Sequence, residues 1–343
     1  MKKKYINSII ITSLFLLFSG LYAKDYVSFH SEEKLKQISQ EQIKNDISAF
    51  SLEKIKDIEN IEIHKTPDKN LIKTISEKIK NAKKRIYIEA YIFTEKDFLS
   101  ALTKAKKNGV DIKIIMEKNV YKAGNINKKA YDEFTKNKID VIWSDSSDYS
   151  LNHSKFFIID DEIIISTGNL TYSAFTKNRE FFLFISDKNI LEKMLTNFNL
   201  DFAKDKKYVY DDNLVFSPFY SRQKIEYLLT KAESEIDMYF PYFEDDRLQN
   251  MLEDKIDSGI NVKIVTDKQN ENVKEFEDLG IKIKVLPKYT EHAKVIVIDQ
   301  KIAYVGSINF SKYSFDENKE TGILIKNENI VKNLLANFQE DFK

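Results

Sequence analysis

The sequence contains no cysteine, and its 343 residues include only four prolines and eight glycines. Without cysteine the chain can form neither a disulfide framework nor a thiolate metal site. So little proline and glycine excludes collagen-like and low-complexity proteins. No charge sign is in excess either, because 54 basic and 54 acidic side chains cancel. The chain therefore has no global attraction for a polyanion, and only a local basic groove could provide one.

The N-terminal apolar segment is short for a membrane span. Residues 2–4 are lysines, residues 9–18 form the apolar core, and small residues precede Ala23. This order is typical of an export signal. We therefore expect residues 1–23 to be a signal peptide and the mature protein to be exported, either periplasmic or secreted. Because Leu21 is large for a position near the cleavage point, a membrane-anchored protein with an uncleaved segment is the alternative.

Residues 24–60 form a polar segment rich in lysine, glutamate and glutamine. Its apolar residues, among them Leu35, Ile38 and Ile47, recur at near-helical spacing. The pattern predicts an N-terminal helical segment, with one or two surface helices packed on the first domain.

One motif occurs twice in the chain. Each copy reads HxKxxxxD, followed by a hydroxyl residue and an asparagine two positions later. The copies comprise His153, Lys155, Asp160, Thr167 and Asn169, and then His292, Lys294, Asp299, Ser307 and Asn309. From the asparagines onward the two copies keep a constant offset, which also relates Glu180 to Glu320. The separation between the two histidines is one residue less than the separation between the two asparagines. The segment from histidine to asparagine is therefore one residue shorter in the first copy, which indicates a shorter turn.

The remainder of residues 61–343 alternates strand and helix patterns, twice in the same order. The first copy predicts strands at 61–63, 85–93, 110–116, 140–143, 155–159, 163–166 and 181–185, with helices at 70–82, 98–107, 131–136 and 190–202. The second predicts strands at 214–216, 236–240, 262–265 and 281–285, with helices at 225–232, 248–256 and 276–279. This order predicts an α/β fold with two similar sandwich domains, 61–202 and 214–343, joined by a linker at 203–213. Two facing copies would be related by pseudo-two-fold symmetry, with the site between them.

The repeated residue types suit the cleavage of a phosphodiester. Imidazole changes protonation near neutral pH, so one neutral histidine can attack phosphorus while the other donates a proton to the leaving oxygen. The HxK spacing fits a strand, where each histidine and lysine share a face. The lysines would neutralise the phosphate charge. Four side chains would donate hydrogen bonds to the phosphoryl oxygens: Thr167, Asn169, Ser307 and Asn309.

Other residues of the motif have structural interpretations. Asp160 and Asp299 are expected to be turn residues or anchors rather than catalytic groups. The matched glutamates, Glu180 and Glu320, are either surface charges or partners that fix the imidazole tautomers. The residues two positions before them, Asn178 and Asn318, are expected in turns, and the histidines outside the motif, His30 and His64, are expected to have no role in the chemistry.

The paired motifs resemble the phospholipase D superfamily, whose members place two HxKxxxxD motifs at one active site. The resemblance covers roughly residues 61–343. It implies a monomer with both half-sites in one chain and catalysis without a metal or other cofactor. It also implies that His153 is the nucleophile of a phosphohistidine intermediate and that His292 is the general acid, which then activates water. The first copy departs from the pattern, because Ser166 and Thr167 replace Gly-Ser.

Substrate class is the least determined expectation. We favour a phosphodiesterase of phospholipase D type that hydrolyses glycerophospholipid headgroups at a membrane surface, because a lipid tolerates a neutral chain. Nucleic acid would need clustered basic and aromatic side chains, so a metal-independent endonuclease is the alternative. A transphosphatidylase like cardiolipin synthase and a non-catalytic phosphate-binding module are less favoured. Cardiolipin synthases of the superfamily carry membrane-spanning helices before the first repeat, where this chain has only the signal-like segment.

Overall fold

The computed structural model describes residues 48, 50–145, 147, 149–205 and 208–343. The predicted signal peptide, most of the helical segment at 24–60 and His30 lie outside the described residues. At the end of that segment a short 3-10 helix spans Leu52–Lys54. The neighbouring side chains of Phe50 and Ile55 pack into the outer core of the second half, so the prediction that this end packs on the first domain is wrong.

The elements of the first half follow the predicted order. Its strands are β1 (Ile61–Lys65), β2 (Arg85–Ala90), β3 (Asp111–Met116), β4 (Asp140–Trp143), β5 (Lys155–Ile159), β6 (Glu162–Ser166), β7 (Asn178–Arg179) and β8 (Phe181–Ile185). Its helices are α1 (Asn70–Asn81), α2 (Lys96–Lys107), α3 (Lys128–Lys136), α4 (Tyr172–Thr176) and α5 (Lys188–Phe202).

The second half repeats them. Its strands are β9 (Leu214–Ser217), β10 (Glu235–Tyr239), β11 (Phe243–Glu244), β12 (Asn261–Thr266), β13 (Lys282–Val285), β14 (Thr290–Glu291), β15 (Val295–Ile298), β16 (Ile302–Gly306), β17 (Phe310–Ser311) and β18 (Glu320–Ile325). Its helices are α6 (Ser221–Thr230), α7 (Asp246–Asp257), α8 (Val273–Asp278), α9 (Lys312–Asp316) and α10 (Glu328–Phe342).

Each half builds one seven-stranded mixed sheet. The first has the order β1-β8-β6-β5-β2-β3-β4, and the second has the matching order β9-β18-β16-β15-β10-β12-β13. In both sheets three strands at one edge are parallel, and the motif hairpin, β5–β6 or β15–β16, pairs antiparallel beside them. The predicted α/β class with two similar domains is therefore confirmed.

The two sheets share a central hydrophobic core. Alternate residues of β5 point to opposite faces, so Phe156 and Ile158 enter this central core while Phe157 and Ile159 enter the outer core of the first half. The closing helices α5 and α10 also contribute to the central core. The other helices cover the outer faces of the sheets. This layering places the ends of both motif hairpins between the halves. No helix in the described ranges has the length and apolarity to cross a membrane.

Very short strands join the halves beside the motifs. Strand β7 pairs in parallel with β14, and Asn152 forms a bridge with Lys319. The backbone N–H of His153 donates to the carbonyl of Lys319 at 2.7 Å, and that of His292 donates to the carbonyl of Arg179 at 3.3 Å. The backbone of each motif histidine is therefore hydrogen-bonded to the other half of the chain.

Candidate active site

The two motif histidines are each paired with a glutamate of the opposite half. Nδ1 of His153 lies 2.8 Å from Oε2 of Glu320, and Nδ1 of His292 lies 2.7 Å from Oε1 of Glu180. Both glutamates are fully buried. Since a carboxylate only accepts, Nδ1 of each imidazole carries the proton and Nε2 is left for chemistry. Neither half can therefore build its histidine site alone.

Burial and charge set the protonation of these pairs. Burial lowers the pKa of His153 to about 4, against the opposing charge of Glu320, and burial also lowers the pKa of His292. For Glu180, burial acts to raise the pKa, but His292, Lys294 and Asn178 together outweigh it and hold the pKa at about 2. The pKa of Glu320 is lowered against burial in the same way, by His153, Lys155 and Ser307 together. At neutral pH each pair is therefore a neutral imidazole beside a carboxylate.

The motif hydroxyls hold the glutamates. Oγ1 of Thr167 donates to Oε2 of Glu180 at 2.7 Å, and Oγ of Ser307 donates to Oε2 of Glu320 at 2.6 Å. A hydroxyl has one proton to donate, so neither is available to a phosphoryl oxygen. We predicted that these hydroxyls either bind the phosphate or orient other site groups, and in the structure both hold the carboxylates that orient the histidines.

The residues two positions before the glutamates support the same groups. Nδ2 of Asn178 donates to Oε1 of Glu180 at 3.0 Å, and Nδ2 of Asn318 lies 3.5 Å from Oε1 of Glu320. The expectation that these asparagines are turn residues is wrong for Asn178, because it lies in β7. Each carboxylate thus has hydrogen-bond partners on both oxygens, which restricts its rotation.

The motif lysines are buried beside the histidines. Nζ of Lys155 donates to the carbonyl oxygen of His153 at 2.5 Å, and Nζ of Lys294 donates to that of His292. Both histidines precede the strands, which begin at Lys155 and Val295, so the predicted strand geometry starts later than expected. Burial lowers the pKa of both lysines. The charge of each lysine also lowers the pKa of the histidine in the opposite half, so all four groups belong to one site.

The matched asparagines have unused hydrogen-bonding capacity. In the part of the chain that the structure describes, Oδ1 of Asn169 and Oδ1 of Asn309 are buried without a partner. Buried polar atoms are normally satisfied, so an unpaired amide oxygen at the same place in both halves indicates a position that a ligand can complete. A rotation of the amide by 180° would present its N–H donors there instead.

The motif aspartates lie in the hairpin turns, at the opposite end of β5 and β15 from the histidines, and have a structural role. Asp160 accepts backbone hydrogen bonds from Lys83, Lys84 and Arg85 at 2.7–3.1 Å. Asp299 accepts the equivalent bonds from residues 233–235. Burial acts to raise the pKa of both carboxyls, but the hydrogen-bond donors, which for Asp299 include the hydroxyl of Ser234, outweigh it and lower the pKa. Both adopt positive φ in the hairpin turn, which is one residue shorter in the first half.

The departure of the first motif from the Gly-Ser pattern has a packing explanation. A Cβ on Gly306 would lie 2.4 Å from the hydroxyl of Tyr304 and 2.5 Å from Cα of Gly322, so glycine is required there for space. The equivalent positions of the first half hold Ser166 opposite Phe182 in the strand pair. The tyrosine has no counterpart there, and the serine is accommodated by bonding to Gly168.

Ion pairs between the halves lie directly behind the glutamates. Arg179 donates to both oxygens of Asp341 at 2.7 Å, and the hydroxyl of Tyr239 donates to the same carboxylate at 2.9 Å. In the matched place Lys319 bonds Glu89 at 2.7 Å and also contacts Asp201. These residues were not among the predicted site residues, although Arg179 and Lys319 are adjacent to the glutamates and share their offset. Each pair anchors the closing helix of the other half beside the site.

One matched position holds a different polar group in each half. Oδ1 of Asn152 accepts from the N–H of Ser154 at 3.0 Å, and Oε1 of Glu291 accepts from the N–H of Ala293 at 2.6 Å. Glu291 is fully buried, and among the described residues its Oε2 has no partner. Burial raises the pKa of this carboxyl well above its usual value. The second half therefore holds a carboxylic acid where the first holds an amide.

We expect Glu291→Gln to stabilise the protein at about pH 8, by roughly 2–4 °C in melting temperature. A pKa that is raised on folding contributes stability below the unfolded value near 4.3, and this stability is lost as pH rises towards the folded value. A glutamine side chain would still accept the hydrogen bond from the N–H of Ala293. Because it has no carboxyl group to ionise, the loss of stability at higher pH would not occur. The gain should shrink at about pH 5, and the converse Asn152→Asp should be destabilising at the higher pH. An equal gain at both pH values would contradict this account.

Among the residues described, no group of three histidine, aspartate or glutamate side chains is placed to hold a metal ion. A family model described as cardiolipin synthase, PLD-like domain, matches residues 75–202 and 225–342. The chain belongs to the phospholipase D superfamily. The two matched ranges are the two halves that contribute the histidines, and the resemblance expected from the motifs is confirmed.

Several proteins of the superfamily are similar to this chain. A cardiolipin synthase of Clostridium perfringens is 26% identical, in an alignment that covers all of this chain and 79% of that protein. A phospholipase D of Rickettsia conorii is 29% identical over 57% of this chain and 96% of that protein. The phosphatidylserine synthase of Haemophilus influenzae has the same fold, with a TM-score of 0.71, 16% identity and coverage of 88% and 89% of the two chains. The chain is therefore an enzyme of the superfamily that acts on phosphodiester bonds.

Proposed function

We propose that the chain is a phospholipid phosphodiesterase of phospholipase D type. It releases the headgroup alcohol from a glycerophospholipid through a phosphohistidine intermediate, as a monomer acting at a membrane surface. The observation that carries the proposal is the pair of His–Glu contacts that cross between the halves. They supply two imidazoles with Nε2 free in one buried site, which is what a two-step displacement at phosphorus requires.

In the first step, Nε2 of His153 attacks phosphorus, a P–N bond forms and the P–O bond to the headgroup breaks. His292, protonated when the substrate is bound, donates its Nε2 proton to the leaving oxygen. In the second step water attacks phosphorus, His292 takes its proton, and the P–N bond breaks to release phosphatidic acid. Lys155 and Lys294 offset the phosphate charge, and a bound anion would in turn raise the pKa of both amines.

The two histidines differ in ways that suit these roles. The side chain of His153 is 8% exposed and that of His292 is 25% exposed. A nucleophile must be neutral, and burial keeps His153 so at neutral pH. The group that activates water must be reached by water, and His292 is the more exposed of the two. This asymmetry supports the assignment of His153 as nucleophile.

A second candidate differs only in the acceptor. The similarity to cardiolipin synthases extends over the whole chain, which favours a lipid alcohol in place of water in the second step. The P–N bond would then break as the alcohol oxygen bonds phosphorus, and His292 would take the alcohol proton. The same site serves both reactions, so the ratio of products, rather than the active-site geometry, distinguishes them.

Purified protein is expected to release choline or ethanolamine from phospholipid vesicles and to leave plasmid DNA and RNA largely uncut. The lipid needs one phosphate site, whereas a polyanion needs many basic contacts, and its binding weakens steeply between about 50 and 200 mM salt. The assay compares the substrates side by side, with glycerol or phosphatidylglycerol added as alcohol acceptor and His153→Ala as control. Phosphatidic acid as product supports hydrolysis, and a new phosphatidyl ester supports transfer. Nucleic-acid cleavage that depends on His153, without lipid turnover, would overturn the proposal.

A further inference from the structure

Large apolar side chains are exposed at few places in the described residues, and two of them share one loop. Tyr121 is 71% exposed and Ile126 is 42% exposed, and both lie in the segment 117–129, which runs from the end of β3 into the first turn of α3 and which we name the rim loop. The others are Tyr172 and Tyr313, in the short helices that follow the site asparagines. Two exposed apolar side chains on one loop indicate an interaction surface.

Hydrogen bonds tie the rim loop to the first half-site. The N–H of Tyr121 donates to the hydroxyl of Tyr91 at 2.9 Å, and the ring of Tyr91 packs edge-on against His153 with 4.6 Å between ring centroids. At the base of the loop, Glu117 Oε2 accepts from the N–H of Asn152 at 2.7 Å. The exposed side chains are therefore carried on a backbone that is held at the mouth of the site.

Buried Asn127 fixes the other end of the loop. Its Nδ2 donates to the carbonyls of Tyr91 and Glu117 at 2.7 and 2.8 Å, and its Oδ1 accepts from the N–H of Phe93 at 2.9 Å. Ile126 precedes it directly. Because these hydrogen bonds hold the loop, its apolar tip has a defined position. The tip can therefore dock with little loss of conformational entropy.

The exposed charges of the rim loop are all positive, since Glu117 at its base is buried. Lys118, Lys122, Lys128 and Lys129 are all exposed, and no acidic residue occurs between positions 118 and 131. Lys128 pairs with Asp132 one turn further along α3, while the ammonium of Lys122 lies over the ring of Tyr121. Tyrosine and isoleucine flanked by lysines is the composition that inserts at the interface of an anionic bilayer.

The second half has no equivalent surface. The matched segment between β12 and α8 is only six residues long, 267–272, and its exposed charges are Lys268 and Glu271. A bound strand of nucleic acid would follow basic residues across both halves of the site. A flat lipid surface needs only one edge of the molecule. The one-sided charge therefore favours a membrane over a polynucleotide.

We infer that the rim loop is the membrane-docking element of this protein, with an anionic phospholipid bilayer as its partner. Tyr121 and Ile126 enter the interfacial layer, the lysines contact the anionic headgroups, and the contact brings the His153 half-site to its substrate. This inference rests on the proposed phospholipid activity, which it supplies with a means of reaching a lipid in a membrane.

The test measures binding to vesicles of phosphatidylcholine containing about 30% phosphatidylglycerol, by sedimentation at physiological salt. Tyr121→Ser/Ile126→Ser should weaken binding by about tenfold or more. Lys118→Glu/Lys129→Glu should weaken it similarly, and more strongly at low salt. The matched control is Lys104→Glu/Lys107→Glu, an equal charge change near the opposite end of β3, which should bind as the unmodified protein does. Thermal melts check that all variants are folded.

Turnover separates docking from catalysis. With a short-chain phospholipid dispersed as monomers, the rim-loop variants should keep the unmodified rate, and with vesicles they should lose it in parallel with binding. Normal vesicle binding by both rim-loop variants, or an equal loss in the Lys104/Lys107 control, would overturn the inference. Loss of oligonucleotide binding with vesicle binding intact would assign the loop to nucleic acid. Vesicle docking without any lipid turnover would preserve the docking role and refute the proposed function.

Discussion

Replacement of either His153 or His292 by alanine is expected to lower phosphodiester turnover by at least about 10³-fold. Each imidazole performs a task that the other cannot take over, because each is locked by a glutamate of the opposite half. The matched control is His64→Ala. That ring packs against Phe184 on β8 and lies 3.6 Å from Glu62, and neither of these residues belongs to the motifs, so its loss should leave turnover unchanged.

An activated substrate distinguishes the two histidines. An aryl phosphodiester has a good leaving group that needs no proton, so His292→Ala should still release the phenol once per active site and then stall. The trapped phosphohistidine is detectable on His153 by mass spectrometry, because water is no longer activated to remove it. The variant His153→Ala should release no phenol. A burst from His153→Ala and none from His292→Ala would reverse the assigned roles, and normal turnover by either would refute the mechanism.

Much of this site could be predicted because the motif is repeated. Two histidines at equivalent places in matched hairpins had to meet if the halves face each other. Strand periodicity alone divides Phe156 from Phe157 between two cores, as found. The pairing of glutamates with histidines could not be predicted, because Glu180 is nearer in sequence to His153 than to His292, and only the packing of the halves decides between them.

Other features gave no sequence signal because they depend on contacts between the halves. Strands β7 and β14 are two residues long, too short for any period, and exist because one pairs with the other. The hydroxyls of Thr167 and Ser307 could equally donate to a ligand or to a neighbour, and the nearby carboxylates decide the outcome. Gly306 could serve backbone conformation or space, and the hydroxyl of Tyr304 and Cα of Gly322 show that it serves space.

The crossed pairing itself has a measurable consequence. Glu320→Gln should lower the pKa of His153, because the carboxylate opposes the effect of burial and its charge is removed. It should leave the titration of His292 unchanged, while Glu180→Gln should lower the pKa of His292 alone. With four histidines in the chain, the imidazole resonances are few enough to follow individually by NMR across the pH range.

The same variants should lower turnover by about 10²-fold or more, since a glutamine amide can present a donor to Nδ1 and favour the wrong tautomer. The limb of the rate profile that reports the affected imidazole should move to lower pH. Glu62→Gln, beside His64, is the control and should change neither rate nor active-site titrations. If Glu320→Gln instead moved the titration of His292, each histidine would be coupled to the glutamate of its own half. The two half-sites would then be independent, and the requirement for both halves in one buried site would fail.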